Sequence, residues 1–353
     1  MGTMGRTGRT SIIRRLLNHT RTGSNASTAE NSSNTPSSLR STSDKALMEF
    51  LDSTKDEKFH RKRFEQLESR EYTREKDTDR YSRVIGYRHR DQNRYSDVIP
   101  FDATRVIVRP KLLGTTGEMY INASYIETAD GKRSIATQGP RMNMVEQFWR
   151  MVWENVRATE GGTATIIMLT QCYEGRVEKC SKYWPEADQQ FEFHDYEGKE
   201  VENTLVVQVV DLEEVENADC TVHTIDLSMI GQNQHFQVKH LLYNGWKDHS
   251  VPLSTDTFLA YFQLYRQYHT SSAPPIVHCS AGVGRTGVFI ALDFLFSTVP
   301  RMTRKQILED PVYWTIDEMR KWRMAMVYKA SQLGFIYGLF RDMVLGRDDL
   351  DTV

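Results

Sequence analysis

Cys279 ends a short buried-strand pattern, Pro275-Ile276-Val277-His278-Cys279, and runs directly into Ser280-Ala281-Gly282-Val283-Gly284-Arg285-Thr286-Gly287. An apolar, helix-forming run follows. Small residues and glycines let successive backbone N–H groups turn inward, which makes an anion nest at a helix N-terminus. A cysteine at the mouth of such a nest sees the helix dipole and an arginine, and both favour the thiolate. Arg285, six residues after Cys279, can lay a planar fork on two oxygens of the same anion. The chemistry implied is attack of the cysteine sulfur on phosphorus, through a covalent phosphocysteine intermediate.

The string from His278 to Gly287 matches every fixed position of HCxxGxxR[ST]G, and at this string the chain resembles the protein tyrosine phosphatase family. The likeness runs over most of residues 60–345 and is carried by further motifs. Asn93-Arg94-Tyr95-Ser96-Asp97-Val98 is similar to the phosphotyrosine-recognition loop. Tyr120-Ile121-Asn122-Ala123-Ser124 and Thr137-Gln138-Gly139-Pro140 resemble two core motifs. Glu174 with Lys179-Cys180, then Tyr183-Trp184-Pro185, resembles the loop that braces the active-site arginine. Trp246-Lys247-Asp248 stands in the place of the mobile acid loop, and Arg320, Arg323 and Gln332 match the C-terminal glutamine-loop region.

The resemblance implies roles at these positions. Asp248 protonates the departing phenolate, then activates water in the second step. The Thr286 hydroxyl either bonds the sulfur as it leaves or caps the helix. Residues Ser280, Ala281, Gly282, Val283 and Gly284 hold the phosphate with Arg285, and Gln332 holds the water. Tyr95 stacks on the substrate ring and makes a cleft that only a long phosphotyrosine can descend. Asp97 accepts hydrogen bonds from a peptide backbone. His278 tunes the thiolate or is a satisfied strand-end histidine, Glu174 holds Arg285, Lys179 touches the acid loop, and Trp246 frames it. No cofactor is implied, and no metal, since the scattered His and Cys lack zinc-ligand spacing.

Two positions depart from the family pattern. Lys247 replaces the proline of Trp-Pro-Asp, and Tyr328 replaces the first of two glutamines four apart, leaving Gln332. They put loop motion and rate in doubt more than reaction class. The competing reading is a binding module that keeps the cradle but has lost turnover. A dual-specificity phosphatase or sulfur-transfer enzyme would be shorter and would lack the Tyr95 segment.

Positioning this chemistry requires a layered domain. Strand-like runs occur at Arg105–Val108, Tyr120–Ile126, Ala164–Leu169, Thr204–Leu212, Thr221–Met229 and His235–Leu242. Helical patterns occupy about Asp44 to Arg80, then Met144–Val156, Thr255–Tyr268, Arg285–Ser297, Met302–Leu308, Ile316–Met326 and Ser331–Val344. Mixed strands with flanking helices argue an α/β (α+β) fold. The resemblance makes it one catalytic domain, residues 45–348, around a central mixed, highly twisted sheet. Its phosphate-binding loop lies between a strand and a helix.

At 353 residues with 39% hydrophobic and 26% charged, the chain has ample material for a core. A net charge of −2 argues against a nucleic-acid binder. The longest apolar run, Gly287 to Val299, is broken by Asp293 and too short to span a bilayer. Residues 1–44 read as a disordered Ser/Thr/Arg-rich tail, and residues 349–353 as a short C-terminal tail. Within the first tail, Ile12, Ile13, Leu16 and Leu17 share one side of a short helix carrying Arg14 and Arg15. That acid-free, arginine-rich pattern also resembles a mitochondrial transit peptide. Four cysteines without CxxC spacing favour reduced thiols and a cytoplasmic protein. Its expected partners are phosphotyrosyl proteins, a kinase among them, with nuclear access and oligomeric state left open.

Overall fold

The computed structural model describes residues 12–17, 37–109, 118–159, 162–194, 204–247, 250–270 and 272–347. The chain begins with α1 (residues 12–17), α2 (Ser37–Ser53), α3 (Glu57–Arg74) and α4 (Val84–Arg88). Asp56 caps α3 by accepting from the Lys58 N–H. The hairpin β1 (Ala123–Glu127) and β2 (Arg133–Thr137) leads to α5 (Val145–Arg157) and β3 (Thr163–Met168). A two-stranded ribbon, β4 (Tyr173–Glu174) and β5 (Val177–Glu178), precedes β6 (Gln190–Phe193). Then come β7 (Leu205–Val215), β8 (Cys220–Met229), β9 (Gln232–Tyr243) and α6 (Thr255–Tyr268). The last elements are β10 (Ile276–His278), α7 (Gly284–Thr298), α8 (Arg304–Leu308), α9 (Pro311–Met319) and α10 (Ala330–Leu345).

Eight strands form one mixed sheet in the order β1-β2-β10-β3-β9-β8-β7-β6. β10 is parallel to both β2 and β3, and β3 is parallel to β9, while the remaining pairs are antiparallel. Only three residues long, β10 is central and buried throughout, as a strand covered on both faces must be. One face packs against α5 with Tyr183 and Trp184, the other against α6, α7, α9 and α10. α7 is buried almost all round, which accounts for its continuous apolar sequence.

The structure departs from the sequence reading in several places. Arg105–Val108 makes isolated bridges, Arg105 to Ser124 and Val108 to Met119, rather than a strand. The helix expected over Ile316–Met326 begins at Pro311 behind the cap Asp310, a proline-at-first-turn start. It ends at Met319, and the irregular turn beyond it carries Ala325 and Val327 at φ of 55° and 63°. The tail expected to be disordered is helical over residues 12–17 and again from Ser37. Ile12, Ile13, Leu16 and Leu17 all join the core on the α6–α7 face, so burial of one apolar side offsets the ordering entropy. Arg266 Nη1 donates to Leu16 O at 2.8 Å. The rest of residues 1–36, and residues 349–353, lie outside the described residues.

Candidate active site

The loop that follows β10 is best understood by asking where its carbonyls go. His278 Nδ1 lies 3.2 Å from Cys279 O, and Gly139 N–H donates to Ser280 O at 2.9 Å. Arg323 donates from Nη2 to Ala281 O and from Nε to Gly282 O. Gly287 and Val327 N–H groups both donate to Val283 O at 3.0 Å. Five consecutive carbonyls are thus held by the protein body. In a trans peptide the N–H points opposite to the preceding C=O, so the amides of residues 280–284 are turned the other way. Gly282 supplies the left-handed turn at φ 71°, where a Cβ would lie 2.2 Å from Thr137 O. Gly139 is equally obligatory, since a Cβ there would lie 2.8 Å from Cys279 O.

Arg285 follows in the first turn of α7, with its side chain buried. Its Nη1 donates to Glu174 Oε1 at 2.8 Å, Leu169 O at 2.9 Å and Trp246 O at 3.0 Å. The guanidinium therefore ties the β4–β5 ribbon and the base of the acid loop to the cradle. Trp246 is buried against Phe258 and Phe335, and its Nε1 donates to Ser250 O. Lys247 is exposed. Asp248 lies outside the described residues, and the contact expected of Lys179 with the acid loop falls on that segment. Thr286 is fully buried, and its Oγ1 has no hydrogen-bond partner among the described residues. The capping reading of Thr286 is not realised: α7 starts behind Val283, with no side-chain cap.

Tyr95, Asp97, Cys279, Ser280, Ala281, Val283, Gly284, Arg285, Tyr328 and Gln332 line one cleft of about 100 Å³. Ser280 Oγ donates its proton to Lys179 O at 2.9 Å, so Tyr95 is the donor in its 2.8 Å bond to Ser280 Oγ. Asp97 is exposed at the rim. The segment is fixed by Gln138, whose Oε1 accepts from Arg94 N and whose Nε2 donates to Gln92 O. Arg94 in turn donates to Gly139 O and Pro140 O. Gln332 is buried, its Oε1 accepting from Tyr328 N at 3.0 Å. A Cβ at Gly284 would lie 3.1 Å from Gln332 Nε2, so that glycine lets the amide approach the cradle.

Several residues here escaped the sequence reading, because their partners are remote in sequence. Glu71, on α3, accepts from Arg320 Nη1 and from Ala325 N, and Arg320 also holds Met326 O and Val327 O. These bonds pin the strained turn that delivers Tyr328. Burial outweighs the attraction of Arg320 and raises the Glu71 carboxyl above its ordinary range. His278 and His240 sit 2.7 and 2.8 Å from the Tyr183 hydroxyl, and His240 Nδ1 lies 3.1 Å from His223 Nδ1. Burial depresses His278 and His223 to about 4 and lowers His240 well below its ordinary range, so all three are neutral at pH 7.

A larger hollow of about 950 Å³ lies beside Pro274 and Pro275, at the amino end of β10. Open α/β sheets bind at the carboxyl ends of their strands, which is the Cys279 end. Among the described residues there is no group of three or more His, Cys, Asp or Glu placed to hold a metal ion. Nor is any of their helices long and apolar enough to cross a membrane.

A family model described as protein-tyrosine phosphatase matches residues 89–341. The rat tyrosine-protein phosphatase non-receptor type 20 is 35% identical over 260 residues, covering 72% of this chain and 55% of that protein. The human receptor-type tyrosine-protein phosphatase H is 38% identical over 250 residues, covering 70% of this chain and 20% of that protein. The solved catalytic domain of human protein tyrosine phosphatase non-receptor type 18 matches with a TM-score of 0.65 at 28% identity, over 81% of this chain and 95% of that one. PTPN18 in complex with HER2 phosphopeptides matches at 0.70 and 26% identity, over 86% and 99%. The chain thus spans about half the length of the type 20 relative and a fifth of the receptor-type one.

Proposed function

Because this chain belongs to the protein-tyrosine phosphatase family, with residues 89–341 matching the family model, we propose that it hydrolyses phosphotyrosine in proteins. In the first step the Cys279 thiolate attacks phosphorus, the aryl P–O bond breaks, and the Asp248 carboxyl protonates the departing phenol. In the second, water attacks the phosphocysteine while Asp248 takes its proton. The P–S bond breaks, and inorganic phosphate leaves. Arg285 and the amides of residues 280–284 carry the three phosphoryl oxygens through both steps. Tyr95 and Asp97 select a phosphotyrosyl peptide, and Gln332 positions the water.

The observation that carries this reading is the outward fixing of five successive carbonyls, Cys279 to Val283, around a cysteine and an arginine. A cradle so oriented has one evident use, the binding of a tetrahedral anion. Residues 45–348 are the catalytic domain in this reading. Its substrates are phosphotyrosyl proteins, a kinase among them, met during signalling in the cytoplasm. The complexes of PTPN18 with HER2 phosphopeptides support that substrate class.

One observation favours a second reading. Tyr328 lines the cleft where the family carries a glutamine, and a phenol cannot hold water as an amide does. A chain that stalled at the phosphocysteine would serve as a phosphotyrosine-binding module. Turnover of a phosphotyrosyl peptide, with little on a phosphoseryl one and none in Cys279→Ser, is the expected result. Iodoacetate should alkylate Cys279 at neutral pH, and phosphate should protect it. Binding of the peptide without release of phosphate would select the second reading.

A further inference from the structure

Four side chains behind the cradle form a continuous hydrogen-bonded line across the sheet. His278 stands on β10, His240 on β9 and His223 on β8, the last two directly opposite in register. Tyr183 bridges the gap over β3, reaching His278 on one side and His240 on the other. All four are buried, beneath Phe148, Trp149 and Trp184.

The proton positions in this line follow from one fixed end. Cys279 O can only accept, so His278 must carry its proton on Nδ1. A neutral His278 then has a bare Nε2, which must accept from the Tyr183 hydroxyl. That hydroxyl has spent its one proton, so its oxygen accepts from His240 Nε2–H. His240 Nδ1 is therefore bare and accepts from His223 Nδ1–H. Met168 Sδ, 3.7 Å from the hydroxyl, is a weaker alternative acceptor and leaves His278 Nε2 unpaired. Each donor thus points toward Cys279, and each bond polarises the next.

We propose that His240 and His223 are positioning residues for the Cys279 loop, acting through Tyr183 and His278 in a one-directional hydrogen-bond relay. The relay holds the Cys279 carbonyl away from the cleft and so aims the Ser280 amide into it. This rests on the reading of Cys279 as the nucleophile of a phosphate cradle. Lys182 and Glu186 face the His223 end, and Arg94 faces the His278 end. His223 and His240 meet each other across β8 and β9.

The test is the tautomeric state of each ring, read from imidazole 15N signals of the full chain at neutral pH. The expected pattern alternates: Nδ1–H at His223, Nε2–H at His240 and Nδ1–H at His278. An Nδ1–H tautomer at His240 overturns the proposal. A second measurement uses His240→Leu, which has no donor for Tyr183, and His240→Gln, whose amide can supply one. Leucine should slow alkylation of Cys279 by iodoacetate about five-fold, the worth of one net hydrogen bond, with glutamine restoring it to within about two-fold. Equal effects from both, or none from either, overturn the proposal, and the wild-type tautomers test it even where the leucine variant does not fold. Turnover measured on the same samples separates the two ideas. Absent turnover with intact tautomers and alkylation refutes the phosphatase reading and leaves the relay standing.

Discussion

Replacing Thr286 by valine should make the fold more stable and the reaction slower, and the two signs come from the same atom. Thr286 Oγ1 is buried in the first turn of α7 without a hydrogen-bond partner among the described residues. An unpaired buried hydroxyl costs about 1–3 kcal/mol relative to a satisfied one. Valine keeps the shape and the β-branch, so it removes that cost without opening a cavity. We expect Thr286→Val to gain about 1 kcal/mol, or roughly 2–4 °C in melting temperature for a domain of this size. In the proposed second step the sulfur regains a full negative charge as the P–S bond breaks. A hydroxyl bonded to it then is worth about 1.5–3 kcal/mol, as bonds to charged groups are. Losing it slows the second step by about 10- to 150-fold. Urea denaturation gives the first sign. Millisecond mixing with excess aryl phosphate gives the second, as a burst of phenol followed by a depressed steady rate. Thr286→Ser, which keeps the hydroxyl, should keep most of the rate. A destabilised valine variant would mean that the hydroxyl has a partner in the resting protein. An unchanged steady rate would mean that the sulfur departs without it.

Tyr328→Gln should raise the steady rate if water positioning limits the wild type. The wild type should then show a burst near one equivalent, and no burst with an unimproved mutant would make the substitution silent. Leu16→Asp should release α1 and lower stability by about 0.5–3 kcal/mol, the loss being capped because the segment can undock without unfolding the rest. Activity on a small aryl phosphate should persist, and a large loss there would show that α1 braces the site. Stability should also fall as pH drops below 6.5. His278 and His223 stay neutral in the fold until about 4, so the unfolded chain binds protons that the fold refuses. Each contributes a slope of up to about 1.4 kcal/mol per pH unit in that window. A flat denaturation midpoint between pH 7 and 5 contradicts this, and His223→Gln should flatten the slope by one proton.

What could be read from the sequence was what is contiguous in it. The string His278 to Gly287 announces a strand, an anion nest and a helix because one segment holds all three. The placement of Tyr95 and Asp97 at the cleft of Cys279 was legible through their neighbours, and Thr255–Tyr268 fell on the observed bounds of α6. Short or weakly patterned elements were not. β2 is five residues with an exposed end, and the β4–β5 ribbon is two residues a side around Gly175 at φ 63°. α1 was legible as a pattern of four aliphatic residues, yet what it covers is decided by a groove that sequence does not display.

The cradle itself shows why a bare cysteine and arginine six residues apart mean little. Its amides face the cleft because its carbonyls are held elsewhere, and besides Gly287 in α7 the holders come from four separate places. Gly139 follows β2, Arg323 follows α9, Val327 stands in the strained turn beyond it, and His278 ends β10. Remove Gly139, Arg323 or His278 as donor and a carbonyl is free to flip, carrying its amide out of the site, whereas Val283 O keeps the Gly287 N–H if Val327 is lost. Arg323 is the extreme case, a guanidinium fully enclosed, which burial lowers to about 10, yet still charged at pH 7. It satisfies two loop carbonyls while Asn122 and Ser124 satisfy it. A buried cation placed only to orient two peptide planes is a costly device. A glycine-rich turn serving merely to join β10 to α7 has no need of it, and a loop that must present its amides to an anion does.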